Sequence, residues 1–181
     1  MKKLFCIVPL VLVFCFTIAC QDKAAMAELE KYKAQAKTEE QNREIVKRFF
    51  EGLNKGNLKI MDELYAPEYS WYYSSTTPKP MTRQETIKFF GMFLKAFPDA
   101  NWTIQGLFPV GDRIIAWLTV GGTHKGEFQG ILATGNRVGF NGFDMFRIQN
   151  GKIVEEREET DMLGLYQQLG MELKPIEAKK K

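Results

Sequence analysis

The sequence predicts an α+β domain, with three helices followed by a curved, mainly antiparallel sheet. Apolar residues recur at helical spacing between Ile45 and Leu53, and again between Ile87 and Phe97. From Trp102 to Val110 the apolar residues alternate with polar ones, which is the period of a half-buried strand, and the next strand, Ile114 to Val120, is almost wholly apolar. A sheet that curves around the helices buries both sets of apolar faces and leaves a conical pocket at its open end.

Two of the helices have clear end signals. Thr38-Glu39-Glu40-Gln41 is a capping box that predicts the start of the first helix, and Gly56 predicts its end. Thr82-Arg83-Gln84-Glu85 is a second capping box, which opens the third helix ahead of Pro98. The remaining predicted elements are a short second helix ending at 64, five strands and a closing helix. The strands lie at 68–73, 102–110, 114–120, 138–149 and 152–161, and the closing helix lies at 163–169.

Asn150-Gly151 is the strongest local signal in the chain. A two-residue type I′ turn needs positive φ at both central positions, and Asn-Gly between two alternating runs meets that need. The turn places Ile148 opposite Ile153 and Asp144 opposite Arg157. One face of this hairpin carries most of the apolar side chains near the turn, so it is predicted to point inward. That face consists of Val138, Phe140, Asp144, Phe146, Ile148, Ile153, Glu155, Arg157, Glu159 and Asp161.

The predicted inward face also takes ionisable side chains into the interior. Buried ionisable groups are costly unless paired, so Asp144, Arg157 and Asp161 together predict a functional site. Asp144 would face Arg157 in a salt bridge, whereas Asp161 would face Phe140 and is less obviously neutralised. A bulge that slips the pairing by one residue would turn every side chain of the last strand over. The stretch from Glu155 to Glu159 would then be a solvated edge.

The first 19 residues have the features of a bacterial lipoprotein signal. Two lysines precede an apolar run from Leu4 to Ile18, and the small residue Ala19 stands before Cys20. The other two cysteines lie inside the segment that would be removed. A lone cysteine at the cleavage point of an exported protein predicts lipid attachment. We therefore expect a membrane-anchored lipoprotein, on the periplasmic side of the outer membrane if the cell is Gram-negative.

The rest of the chain is predicted to consist of a polar tether at 20–37, a domain at 38–170 and a charged tail at 171–181. The formal net charge of +3 falls to +1 without Lys2 and Lys3, and no basic stripe is present. Nucleic-acid binding is therefore not expected. His124 is the single histidine, so a metal site built from histidine and cysteine is not expected either.

Several motifs resemble the SnoaL-like polyketide cyclases, a family of the nuclear-transport-factor-2-like superfamily. They occur in the family's order and span roughly 41–170. The motifs are Arg48–Asn57, Phe97-Pro98-Asp99, Gly122–Gly130, Thr134-Gly135, Asp144–Arg147 and Gly151–Glu155. The resemblance implies the cone-shaped fold of that superfamily, with three N-terminal helices packed on a curved sheet.

The resemblance also implies a chemistry. Cyclases of this family close a ring by intramolecular aldol condensation of a polyketide ester, with no metal and no cofactor. It therefore implies a small hydrophobic or polyketide-like ligand and an aspartate that acts as general acid and base, with its pKa raised by burial. Asp161 and Asp144 are the candidates, with Asp161 slightly favoured. The candidate substrate-binding residues are His124, Arg157, Trp71, Tyr73, Phe140 and Phe146.

Two functional hypotheses stay open at this point. The first is a cofactor-independent cyclase or isomerase, and the second is a non-catalytic ligand-binding or dimeric assembly module at the cell envelope. Glu156, Arg157 and Thr160 stand where many members carry a His-Trp pair and a second tryptophan, which favours the second hypothesis. The resemblance also implies a homodimer through the outer face of the sheet, which is common among relatives but has no signal in this sequence. Packing of Trp71 and a structural hydrogen bond of His124 are the simpler readings of those two residues.

Overall fold

The computed structural model describes residues 7–73 and 79–174, with side chains from residue 23 onward. The helices are α1 (Ile7–Asn54), α2 (Lys59–Leu64), α3 (Arg83–Ala96) and α4 (Met162–Gln168). The strands are β1 (Tyr65–Tyr73), β2 (Met81–Thr82), β3 (Asn101–Val110), β4 (Arg113–Thr123), β5 (Arg137–Gln149) and β6 (Lys152–Thr160). The chain divides into two units, 1–40 and 41–181.

The first unit is helical wherever its backbone is described, and its side chains from Lys23 to Thr38 are exposed. The helix runs through the predicted start at Thr38, whose hydroxyl donates to the carbonyl of Ala34 at 3.1 Å. The prediction that the first helix begins at this capping box is therefore wrong. The predicted signal segment and the side chain of Cys20 lie outside the part of the chain described at side-chain level. Within that part, no helix is long and apolar enough to cross a membrane.

The second unit is an α+β domain with its helices packed on one curved sheet, as the sequence predicts. The strand order is β2-β1-β6-β5-β4-β3, and every pair is antiparallel except β1 with β6. The helical spacing in α1 is confirmed, because Val46, Phe49 and Leu53 are fully buried. The capping box of α3 is also confirmed: Thr82 accepts from the Glu85 N–H, and Glu85 accepts from the Thr82 N–H at 2.7 Å.

The hairpin of β5 and β6 begins as predicted and then departs from the prediction. Asn150 and Gly151 both have positive φ, and Ile148 pairs with Ile153. The next pair is Arg147 with Glu155, so Val154 is an extra residue on β6. Ile153 and Val154 are consecutive and both buried, which is the mark of a bulge. The prediction is right for β5, but every side chain of β6 beyond the bulge faces the opposite way.

Candidate functional site

The domain contains an apolar pocket with two acids in its wall. Asp144 from the middle of β5 and Glu158 from β6 are directly paired, so their side chains lie on the same face of the sheet. The rest of the wall is mainly aromatic and aliphatic, from α1, α3, α4 and the inner face of the sheet. The cavity volume is about 30 Å³, which is room for about two water molecules. In this conformation a larger ligand enters only if aromatic side chains move.

A third carboxyl group lies behind these two. Glu156 is fully buried, and one oxygen each of Asp144, Glu156 and Glu158 lie within 4.8 Å of one another. No lysine, arginine or histidine forms an ion pair with any of the three in the described part of the chain. Three carboxylates this close cannot all be ionised without a counter-charge, so the cluster retains protons near neutral pH.

Tyrosine hydroxyls hold the deepest carboxyl group. Tyr69 donates to Glu156 Oε2 at 2.7 Å and Tyr65 donates to the same oxygen at 3.2 Å. The two rings stack with centroids 3.8 Å apart. The other oxygen, Oε1, is buried and has no hydrogen-bond partner among the described residues. One carboxyl oxygen of Glu156 is therefore held by two hydrogen bonds, and the other has lost its contact with water without gaining a partner.

Burial is the main cause of the pKa shifts in this cluster. It raises the pKa of Glu156 to about 8, with Glu158 adding to the rise and the hydroxyls of Tyr69 and Tyr65 opposing it. It raises the pKa of Glu158 to about 7, although a 2.5 Å hydrogen bond from Thr160 lowers it. It also raises the pKa of Asp144 well above its ordinary value, and both neighbouring glutamates add to that rise.

The structure brings only part of the predicted site to the pocket. Asp144, Tyr73 and Phe140 line it, and Asp144 points inward as predicted. Tyr73 donates its hydroxyl to the sulfur of Met162 at 2.8 Å across the pocket wall. The salt bridge predicted between Asp144 and Arg157 does not form, because the bulge sets Glu158 opposite Asp144.

The predictions that Arg157 and Asp161 point inward are wrong. Arg157 is exposed, with its guanidinium 4.1 Å from the centre of the Tyr72 ring and its Nε donating to Glu155 at 3.0 Å. Asp161 is exposed and caps α4, because its carboxylate accepts from the Gly164 N–H at 2.8 Å. The bulge turns Arg157 outward, and Asp161 faces solvent because it is the N-cap of α4.

Trp71, Phe146 and His124 are fully buried but lie outside the pocket lining. Trp71 stacks against Phe90, and Phe146 packs edge-on against two phenylalanines of α1. His124 Nδ1 accepts from the Thr134 N–H at 3.2 Å, whereas Nε2 is buried and has no hydrogen-bond partner among the described residues. These contacts match the simpler readings, in which Trp71 is core and His124 is structural.

Sequence reasoning missed Glu156, Glu158 and the tyrosine pair. The signal that could have found the glutamates is the doublet Ile153-Val154, which follows the turn after one residue, Lys152. Two adjacent apolar residues break the strict alternation of a half-buried strand and mark a bulge. Nothing comparable marks Tyr65 and Tyr69, because their meeting with Glu156 depends on the parallel pairing of the first strand with the last.

The same three carboxylates also suit a hard divalent cation, since Ca²⁺ and Mg²⁺ take oxygen ligands. The expectation of no metal was based on the scarcity of histidine and cysteine, and it stays a prediction. The geometry itself supports either proton exchange or cation binding at one place, the acidic side of the pocket.

The fold is an α+β domain whose helices pack on one open curved sheet, with two acids in the wall of an apolar pocket. The chain belongs to the SnoaL-like polyketide cyclase family, whose model matches residues 43–169. It is 30% identical over 129 residues to aklanonic acid methyl ester cyclase DauD of Streptomyces sp. (strain C5), covering 70% of this chain and 80% of that protein.

Solved structures agree on the fold. AclR from Streptomyces galilaeus superposes with a TM-score of 0.68 at 26% identity, over 73% of this chain and 97% of AclR. A SnoaL-like protein from Jannaschia sp. CCS1 also has a TM-score of 0.68, at 22% identity, over 75% of this chain and 95% of that one. The first is described as a candidate hydroxylase and the second as a candidate polyketide cyclase, so the shared fold does not by itself fix the reaction.

Proposed function

We propose that this protein is a cofactor-independent cyclase or isomerase that acts on a small, polyketide-like molecule in its conical pocket. The observation that carries this proposal is the pairing of Asp144 with Glu158 in an apolar wall, without a cationic partner in the described chain. A carboxylate in such a place is a strong enough base to take a proton from carbon next to a carbonyl group. The neighbouring acid supplies the complementary proton.

The two acids divide the work of a ring closure. The ionised carboxyl group of the pair removes the α-proton, and the electron pair of the broken C–H bond becomes an enolate. The enolate carbon attacks the second carbonyl carbon and forms the new C–C bond. The protonated carboxyl group then gives its proton to the oxygen of that carbonyl, which becomes a hydroxyl group. The product is an isomer of the substrate, and the pair again holds one proton.

The test uses the full-length protein and the ester in the name of its relative, aklanonic acid methyl ester. Product formation is followed by chromatography and mass spectrometry, and α-proton loss is followed by deuterium uptake from D₂O. Asp144→Asn and Glu158→Gln should each slow turnover by about 10²–10⁴-fold. Asp161→Asn is the matched control, because asparagine also caps helices. If Asp144→Asn exchanges deuterium as fast as wild type, Asp144 is not the base.

The second candidate function is a non-catalytic ligand carrier. The acidic residues of β6, at positions where the resemblance implies aromatic ones, favour it. A carrier binds the ester without exchanging its α-proton, so binding by calorimetry with no deuterium uptake would decide for this candidate.

We also propose that two copies can associate through the outer face of the sheet. Trp117 and Phe143 are stacked there with centroids 6.2 Å apart, and their exposed fractions are 42% and 52%. Phe108, on the same face, is also exposed. Sedimentation equilibrium of wild type should give twice the monomer mass, and Trp117→Ser with Phe143→Ser should give the monomer mass.

Export and membrane anchoring through Cys20 are proposed from the sequence pattern alone. In a bacterial host, an alkyne-tagged fatty acid should label the wild-type chain and should not label Cys20→Ser. Equal labelling of the two chains would end this proposal.

A further inference from the structure

A second, wider cavity lies beside the acidic pocket. It is a groove lined by Phe89, Met92 and Lys95 from α3 and by 127–129 from the connection between β4 and β5. Its volume is about 400 Å³, against about 30 Å³ for the acidic pocket. Phe89 and Phe128 line both cavities, so these two rings form the wall between them. The groove is large enough for a small organic molecule, and the inner pocket is not.

The two rings of this wall are held differently. Phe128 is buried, packs edge-on against Phe93 and Phe97, and exchanges two backbone hydrogen bonds with Ile131 across a tight turn. Gln129 lies in that turn with φ +49°, and its side-chain carbonyl accepts from the Tyr166 hydroxyl. Phe128 is therefore fixed.

Phe89 is only half-buried, and its ring contacts are with Trp71, Tyr73 and Phe90. A half-buried ring can change rotamer without opening the core. Phe89 is thus the part of the wall that can give way between groove and pocket.

The charged groups of the groove are Lys95 and Glu127, which form no ion pair with each other. Lys95 has no carboxylate within 4.0 Å among the described residues. Glu127 lines the same groove without an ion pair. Met92 is 50% exposed and adds an adaptable apolar surface to the groove that the two aromatic rings and Lys95 also line. An exposed thioether and two rings beside an unpaired ammonium group match a flat aromatic molecule that carries an acid group.

We propose that the groove is a binding subsite for an aromatic anion, with the ring system on Phe89, Met92 and Phe128 and the acid group on Lys95. Binding in the groove does not depend on the acids of the inner pocket, because neither Asp144 nor Glu158 lines the groove. Passage of the ligand past Phe89 to Asp144 and Glu158 is the part that rests on the proposed function.

The test uses two fluorescent probes with the same ring skeleton, titrated against the full-length protein. 8-Anilinonaphthalene-1-sulfonate is an anion, and N-phenyl-1-naphthylamine is neutral. Lys95→Gln should weaken binding of the anion about two- to fivefold, as expected for an exposed ion pair, and should remove its salt dependence. Glu127→Gln should strengthen anion binding by a similar factor. Neither change should alter binding of the neutral probe, whereas Met92→Ser should weaken binding of both.

Lys88→Gln is the matched control, because Lys88 is an exposed lysine of α3 that does not line the groove. The proposal is overturned if Lys95→Gln binds the anion as wild type does, or if Lys88→Gln weakens it equally. Asp144→Asn should leave binding of both probes unchanged. If the protein binds the anion in this pattern but exchanges no α-proton of the ester, the subsite is supported and the proposed catalysis is refuted. The failure of one proposal can therefore be told from the failure of the other.

Discussion

Asp144 on β5 lies directly opposite Glu158 on β6, and both side chains face one apolar pocket. Like charges at directly opposed positions of a sheet are destabilising. Here the usual remedy, a neighbouring cation, is missing from the described residues, and a third carboxyl group lies within 4.8 Å. The folded state is therefore coupled to bound protons, and that coupling can be measured without knowing the substrate.

Stability should fall as the pH rises from about 5 to about 8. The pKa of Glu156 rises from 4.5 to about 8 on folding and that of Glu158 to about 7, so the folded protein keeps protons that the unfolded chain has released. The stabilisation from these bound protons is fully present below pH 4.5, and it is lost as the pH rises through the pKa values of the folded protein, about 7 and about 8. The melting temperature measured by calorimetry should fall less from about pH 5 to about pH 8 in Glu156→Gln than in wild type. The difference should be at least about 3 °C, which corresponds to about 1 kcal/mol. Glu68→Gln, at an exposed position of β1 that contributes to neither shift, should behave as wild type.

Thr160→Val should raise the pKa of Glu158 above about 7. The threonine hydroxyl donates to Glu158 Oε1 at 2.5 Å and favours the ionised form, and valine keeps the shape without the donor. Carboxyl ¹³C chemical shifts followed against pH measure this directly. Thr160→Ser retains the donor and should titrate close to wild type. An unchanged titration in the valine variant would mean that the hydroxyl bonds elsewhere.

Asp161→Ala should destabilise the domain by about 1 kcal/mol, which is about 2–4 °C in melting temperature. The cause is the loss of the carboxylate that accepts from the Gly164 N–H at the start of α4. Asp161→Asn should cost much less, because asparagine caps helices equally well. Turnover that disappears in the asparagine variant while the melting temperature holds would contradict the structural role assigned to this residue.

Gly126→Ala should destabilise the domain by about 1–3 kcal/mol. The backbone N–H groups of Lys125 and Gly126 both donate to the Ala96 carbonyl at the end of α3. A Cβ atom at 126 would lie 2.6 Å from the Lys95 carbonyl oxygen. Because that oxygen belongs to the backbone, the clash cannot be relieved by the rotation of a side chain. Gly121→Ala is the control, because its Cβ would meet only the Val138 carbonyl oxygen at 3.6 Å. Chemical denaturation of both variants gives the comparison.

The sequence was sufficient for the fold because its signals are local. Asn150-Gly151, the capping box at Thr82 and the apolar spacing in α1 each act within a few residues, and all three formed as predicted. The first capping box at Thr38 failed because the helix continues through it. Local preference there gives way to helix propagation in a segment rich in helix-forming residues.

The site was predicted less well because its geometry depends on one inserted residue. The extra residue Val154 turns Glu156 and Glu158 inward and Arg157 outward. A prediction that assumes strict alternation of side chains along a strand does not include such an extra residue. The prediction that survived, Asp144, lies on β5, where the alternation is unbroken. The two buried tyrosines that donate to Glu156 come from β1, 91 and 87 residues earlier in the chain, through pairings that no local pattern encodes.

The position of β6 between β1 and β5 has a consequence for how the domain is made. Of the described strands, the one that emerges last from the ribosome lies in the middle of the sheet, with the first as its parallel neighbour. Until residue 160 has been synthesised, β1 and β5 each keep an unpaired edge toward the gap. Nascent chains cut short in this region should be captured by chaperones or aggregate, since neither half of the sheet can close without its final strand.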